Sequence, residues 1–343
     1  MMDDSLDDFD IAKFVFSLKR GDLSGSVARA QIHVQDELKK FIIDRAPSPK
    51  HVSGEMEFES VVRLALILGL SKDVKQSLTT LKMTRDKLAQ MVRARFDHQD
   101  ARNFYNTLPP YIKGIIHEEY SGLKSQHNLV EFKRQEPEYR LAHYLIGIWT
   151  VVSTERKLGP TPWRIPRHLP DNYIKDLEDR KLKFIALLEG KSDLEMVIQA
   201  HTHLHHELEE FVLAAAPQAD EVRLRDFDFY GLLSLCLILG LEPSLAKPLK
   251  AISALRNRFA HELEISLREI DAQRIFLSLD ASTRTDAATA WSVTHRKHPH
   301  TGRPPMLKDA KPADVLATSA VMLYQSIVLG HLTLRSAALR KDR

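Results

Sequence analysis

The sequence predicts an all-α protein built from two tandem, homologous helical-bundle domains packed as a pseudo-dimer. The first observation behind this is self-similarity: Asp36-Glu-Leu-Lys-Lys-Phe41 returns as His206-Glu-Leu-Glu-Glu-Phe211, 170 positions later. That period is too long for a solenoid unit, so each copy owns a core. Second, apolar residues recur at three-to-four spacing, the period of a helix with one buried stripe. Third, 13 Gly and 16 Pro in 343 residues are few for a β protein that turns every ten residues, and no useful alternating stretch occurs.

The elements follow in order. Val27, Ala30, Val34, Leu38 and Phe41 form the stripe of a first helix, matched by Val197, Ala200, Leu204, Leu208 and Phe211. A one-residue insertion then moves the offset to 171, which places Leu66-Ile-Leu-Gly69-Leu70 on Leu237-Ile-Leu-Gly240-Leu241. The second helix, residues 58–68 and 229–239, is apolar nearly all round and is predicted to be central. Gly69 and Gly240 sit where a left-handed residue ends a helix, with Leu70 and Leu241 as the apolar contact that follows. Ser71 is placed to cap the third helix of the first copy, and Pro243 suits its first turn in the second. The same offset carries Arg85 onto Arg256, Ala89 onto Ala260 and Asp100 onto Asp271. A last amphipathic helix closes each copy at 139–157 and 315–339.

The first domain is therefore 1–157 and the second 173–343. In the connecting stretch 158–172, Pro160, Pro162, Pro166 and Pro170 around Trp163 prevent a continuous helix. A second irregular stretch, 296–312, interrupts the second copy before its last helix.

Composition narrows the function classes. The 49 Lys and Arg against 46 Asp and Glu leave a formal charge of +3, too balanced for a dedicated nucleic-acid surface. The balance is uneven along the chain, with an acidic start (Asp3, Asp4, Asp7, Asp8, Asp10) and a basic end. The apolar runs are shorter than the ~18 to 20 residues of a membrane span, and the acidic start lacks the basic region of a signal peptide. One cysteine, Cys236, excludes a disulfide framework and a Cys-based zinc site, and its apolar neighbours make it a small core residue. A cytoplasmic protein with no membrane partner is expected.

The third helix of the second copy reads Leu255-Arg256-Asn257-Arg258-Phe259-Ala260-His261-Glu262. Together with the Leu-Gly240-Leu241 helix end, this segment resembles the mannitol operon repressor-like proteins, and the duplication extends the resemblance over most of the chain. The Arg-Asn-x3-His spacing is also similar to the motif of HEPN domains, helical bundles of which many are metal-independent endoribonucleases in toxin and defence systems. The first resemblance implies a regulator that acts through a protein partner or self-association, without reading DNA sequence by itself. The second implies a nuclease with RNA as partner.

The chemistry of that second reading is concrete. RNA cleavage without metal needs a base for the 2′-hydroxyl, a cation for the phosphate and an acid for the leaving oxygen. His261 suits the base or acid role, and the Arg256 guanidinium suits phosphate, with Asn257 beside it. The first copy has Gln90 in the place of His261, and an amide is no general base, so at most one copy is catalytically complete. Five residues on a regular helix turn through about 140°, which puts Arg256 and His261 on different faces. Convergence requires a distorted helix or a site assembled across the copies, with Arg85 facing Arg256 and His261.

Three other clusters stand out. On a helix His203, His206, Glu207 and Glu210 share a flank with metal-ligand spacing, as do His33, Asp36 and Glu37, but a polar face opposite the apolar stripe accounts for both sets. His295, His298 and His300 lie in the Pro-rich stretch and are expected to be exposed. Trp163, Arg164, Arg167 and His168 combine stacking and charge in the linker. No His-Glu-x-x-His, phosphate loop or Gly-x-Ser-x-Gly elbow is present, so no metal and no cofactor is predicted.

Overall fold

The computed structural model describes residues 22–52, 55–90, 95–127, 131–158, 171–262, 266–294 and 306–341. The described residues form thirteen α-helices and no strand. The chain divides into two compact units, Met1–Pro162 and Trp163–Arg343. Residues 159–170, with Trp163, Arg164, Arg167 and His168, lie outside the described residues, as do His295, His298 and His300.

The first unit contains α1 (Leu23–Arg45), α2 (Phe58–Ile67), α3 (Lys75–Gln90), α4 (His98–Thr107), α5 (Pro110–His127) and α6 (Pro137–Leu158). The second contains α7 (Asp171–Leu188), α8 (Asp193–Ala215), α9 (Phe229–Ile238), α10 (Ala246–His261), α11 (Glu269–Ser278), α12 (Ala281–Thr294) and α13 (Pro312–Lys341). Helices α1 to α4 have 23, 10, 16 and 10 residues, and α8 to α11 have the same lengths in the same order. After α5 and α12 the offset grows to 175, so that Pro137 and Pro312 open the last helix of each unit. In each unit the first of these helices packs along the last, α1 on α6 and α8 on α13.

Local chemistry explains the boundaries. Asp22 caps α1 by accepting the Gly25 N–H at 2.8 Å, and Ser192 with Glu195 forms a capping box at the start of α8. Gly69 and Gly240 have φ of 101° and 98°. There the Leu70 N–H reaches Ala65 O at 2.9 Å and the Leu241 N–H reaches Cys236 O at 2.8 Å, the six-to-one bond of a Schellman turn. Ser71 differs from expectation: its side chain caps nothing, because a 3-10 turn, Lys72–Val74, intervenes before α3. Its N–H instead donates to the Glu155 carboxylate at 2.8 Å. Pro243 likewise opens a 3-10 turn, Pro243–Leu245, ahead of α10.

The predicted stripes are the core. Val27, Ala30, Val34, Leu38 and Phe41 are fully buried, and so are Ala200, Leu204, Leu208 and Phe211 beside Val197. Cys236 is buried in α9, with its thiol on Leu208 O at 3.4 Å. Two carboxylates lie within this core. Glu37 and Glu207 are 2% and 3% exposed, and each meets a base on the last helix: Arg156 Nε at 3.0 Å from Glu37, and His331 Nε2 at 2.7 Å from Glu207. Burial alone would push the Glu207 carboxyl up, but the His331 and Tyr324 hydrogen bonds and the Arg180 charge hold it below its usual value.

Among the described residues one stretch, Pro312–Arg335 of α13, is long and apolar enough to cross a membrane, with a mean hydropathy of 1.5. It packs against α7, α8 and α11 of its own unit.

The positive φ at the two turns yields a stability prediction. Gly69→Ala and Gly240→Ala should each cost about 1–2 kcal/mol in urea unfolding, the penalty of a Cβ in the left-handed region. Gly114 is helical in α5, and a Cβ added there would meet no atom within 4 Å. It should tolerate Ala or gain up to about 1 kcal/mol.

Candidate functional site

The motif segment lies on α10, which is regular α-helix from Ala246 to His261 and closes with the Glu262 N–H on Arg258 O at 3.0 Å. Its 3.6-residue turn keeps Arg256 and His261 about 140° apart. Leu255 and Phe259 are buried, whereas Arg256, Asn257 and His261 are exposed. Arg256 donates to Asn257 Oδ1 at 3.2 Å. The imidazole of His261, the last residue of the helix, has no hydrogen bond or ion pair among the described residues.

The arginine between them has a different task. Arg258 grips Asp271 of α11 with two hydrogen bonds of 2.8 and 2.5 Å, and Arg268 adds a third at 3.0 Å. Burial opposes the charge on Asp271, but the hydrogen bonds from both guanidinium groups win and bring its pKa down to about 2. The first unit makes the same tie with Lys87 on Asp100 at 2.7 Å. The tie joins α3 to α4 in the first unit and α10 to α11 in the second.

Arg256 faces α8 rather than His261. Its charge acts on His201, whose imidazole is pushed down to about 4, first by burial, then by Arg256 and then by His205. The His201 ring lies 4.6 Å from the Phe229 ring and 6.2 Å from that of His205. The Nε2 atom of His205 is enclosed without a partner. The self-alignment carries a signal for this neighbourhood, since Gln31 and Gln35 stand 170 positions before His201 and His205. In the first unit those glutamines line a cavity of about 300 Å³ with Arg85, Lys82, Glu59 and Phe58. There the cations are closed by acids: Arg85 by Asp86 at 2.8 Å, and Lys82 by Glu59 at 2.6 Å. Gln90 is exposed at the end of α3.

The histidine-rich flank of α8 is divided among separate partners. Glu207 is buried on His331, Glu210 pairs with Arg335, His206 lies 3.6 Å from Glu209, and His203 packs edge-on to Phe184. In the first unit Glu37 is held by Arg156 and by Lys40 at 3.0 Å. No three His, Cys, Asp or Glu side chains gather in metal-binding geometry among the described residues. No family model, curated protein or solved structure matches the chain.

Two measurements check these assignments. Arg258→Ala should cost about 2 kcal/mol in urea unfolding, because it strips charge-assisted hydrogen bonds from Asp271, whereas Arg256→Ala should stay within about 0.5 kcal/mol as an exposed change. The second concerns pH. The folded chain holds His201 near 4, below the ~6.5 of an unfolded histidine. The unfolded state therefore binds this proton first, and stability present above pH ~6.5 is lost as the pH falls towards ~4. His201→Gln, the residue of the first unit, should make the fall in urea midpoint between pH 7 and 4.5 smaller than in the wild type.

Proposed function

We propose that the protein is a cytoplasmic regulatory module that works by binding, through a protein partner or a second copy of itself, and that the Arg256–His261 segment serves the fold and its surface. The observation that carries this reading is the regular course of α10. It holds Arg256 and His261 apart on one rigid helix and commits Arg258 to Asp271. Exposed apolar side chains on α11 and α12 support binding of a protein: Ile270, Leu277 and Val293 are 64%, 61% and 79% exposed.

The opposing reading is a metal-independent endoribonuclease that uses His261 and Arg256, with Asn257 beside them. RNA incubated with the full chain in EDTA distinguishes the two. The binding module leaves RNA intact, for wild type and His261→Ala alike. In cells lacking the chain, altered transcript levels should be restored by both forms. RNA cleavage that falls by about 10² or more in Arg256→Ala and in His261→Ala, but not in Gln90→Ala, would replace the proposal with the nuclease. DNA should be held only at the ~10⁻⁴ to 10⁻⁶ M of nonspecific association, and tight sequence-selective binding at 200 mM salt without a partner would overturn the regulatory mode described here.

A further inference from the structure

The second unit contains a cleft of about 680 Å³ bounded by the turn after α9, the start of α12 and the middle of α13. That volume is in the ~300–1,000 Å³ range of small-molecule sites. The first unit shows what the same scaffold looks like with this space filled. At the offsets of 171 and 175 that align the helices, Tyr111, Ile112, Val151 and Glu155 stand where the second unit has Ser282, Thr283, Ser326 and Gly330. Glu155 reaches across to the Ser71 N–H at 2.8 Å, Tyr111 hydrogen-bonds Ser71 as well, and Arg45 donates to the Glu155 carbonyl at 2.7 Å. All of these plugging groups are absent from the second unit, where Ala215 replaces Arg45 and Gly330 brings α13 so near Phe211 that a Cβ would sit 3.1 Å from its ring. Four larger side chains have given way to three hydroxyls and a glycine.

The polarity of the lining specifies what enters. Glu242 and Asp280 are the charged residues of the cleft, both carboxylates, and among the described residues no Lys, Arg or His lines it. Two of the lining hydroxyls spend their protons within the chain: Thr283 Oγ1 donates to Asp280 Oδ2 at 2.5 Å and Ser326 Oγ donates to Met322 O at 2.9 Å. What those hydroxyls present to the cleft is lone pairs. Asp280 also accepts the Ser282 and Thr283 N–H groups at 3.0 and 3.1 Å, which fixes its position and keeps its carboxyl below the usual range. A lining of fixed acceptors without a cation favours a ligand rich in N–H donors that carries positive charge, with Leu241, Leu245 and Leu329 to meet its methylene groups.

We propose that this cleft of the second unit binds a small organic polyamine, the place being opened by the loss of the side chains that fill it in the first unit. The site lies within one unit and does not involve the Arg256 segment, so its test is separate from that of the regulatory reading.

The test is isothermal titration of the full chain with spermidine, and with 1,4-diaminobutane against 1,4-butanediol, whose two hydroxyls replace the ammonium groups. Wild type should bind spermidine with a Kd below about 1 mM, and the diol should give no heat. Asp280→Asn keeps a capping side chain but removes the charge, and should weaken binding at least fivefold. Ser282→Tyr, which installs the exposed residue of the first unit, should abolish it while leaving the urea midpoint unchanged. No heat with either amine would overturn the proposal. So would equal binding in Asp280→Asn and Ser282→Tyr, which would place the amine elsewhere, or equal displacement by Mg²⁺ at the same concentration, which would mean counter-ion exchange only.

Discussion

A carboxylate in the middle of each bundle governs how the bundle closes. Glu37 and Glu207 occupy the same place on α1 and α8, and both are almost fully enclosed. An isolated buried carboxylate costs several kcal/mol, so it is tolerated only with its charge and lone pairs matched. The matching group comes in each unit from the last helix, Arg156 or His331. Pairing therefore brings the first and last helices of the bundle side by side in one rotation, because a helix turned by one residue would aim the base about 100° away. The two units meet the requirement differently. Arg156 brings a guanidinium to Glu37, whereas His331 shares the task with the Tyr324 hydroxyl and the more distant Arg180 of α7. Helix α7 of the second unit is thus tied to the same carboxylate, and Phe184 stacked on Tyr324 at 4.3 Å strengthens that tie.

What the sequence discloses and what it conceals divide along the range of the interaction. The apolar stripes and the glycine turns are local, within one or two helical turns, and both are as legible in residues 23–70 as in the fold. Glu37 and Glu207 are not legible: each borders its stripe, next to Leu38 or Leu208, and reads as part of a polar flank. The partner that makes burial tolerable lies 124 residues downstream in the case of His331. Helices α4 and α11 are hidden for another reason. In α4 only Ala101 and Phe104 are buried, and in α11 only Ala272 and Ile275, too few to establish a period. Ser71 misleads because capping chemistry says that a helix begins nearby, not that a 3-10 turn comes first.

The Arg256 neighbourhood shows the same division. The spacing of Arg256 and His261 is visible along the chain, and so is the consequence that a regular helix separates them. The proximity of His201 to Arg256 depends on how α8 crosses α10, which no local pattern encodes. Alignment of the two copies narrows that gap. It sets Gln31 and Gln35 under the two histidines and Asp86 under Asn257, and so marks the positions where the two units have diverged in chemistry while keeping their helices.

Divergence on a shared scaffold has a direction here. The first unit satisfies its surface cations and its inter-helix spaces internally, with Arg85 on Asp86, Lys82 on Glu59 and Glu155 on Ser71. At the equivalent places the second unit has Asn257, Tyr230 and Gly330. Each replacement removes a carboxylate without disturbing the core stripe, the glycine turn, the ion pair that joins α3 to α4 and α10 to α11, or the buried Glu37 and Glu207 pairs. Those retained interactions set the stability of the bundle, since they are enclosed or bidentate, whereas the surrendered ones are mostly exposed pairs that solvent screens. The second unit can therefore lose these carboxylates at little cost to folding, and Arg256, which meets the neutral Asn257 amide where Arg85 meets the Asp86 carboxylate, keeps its charge for something outside the chain.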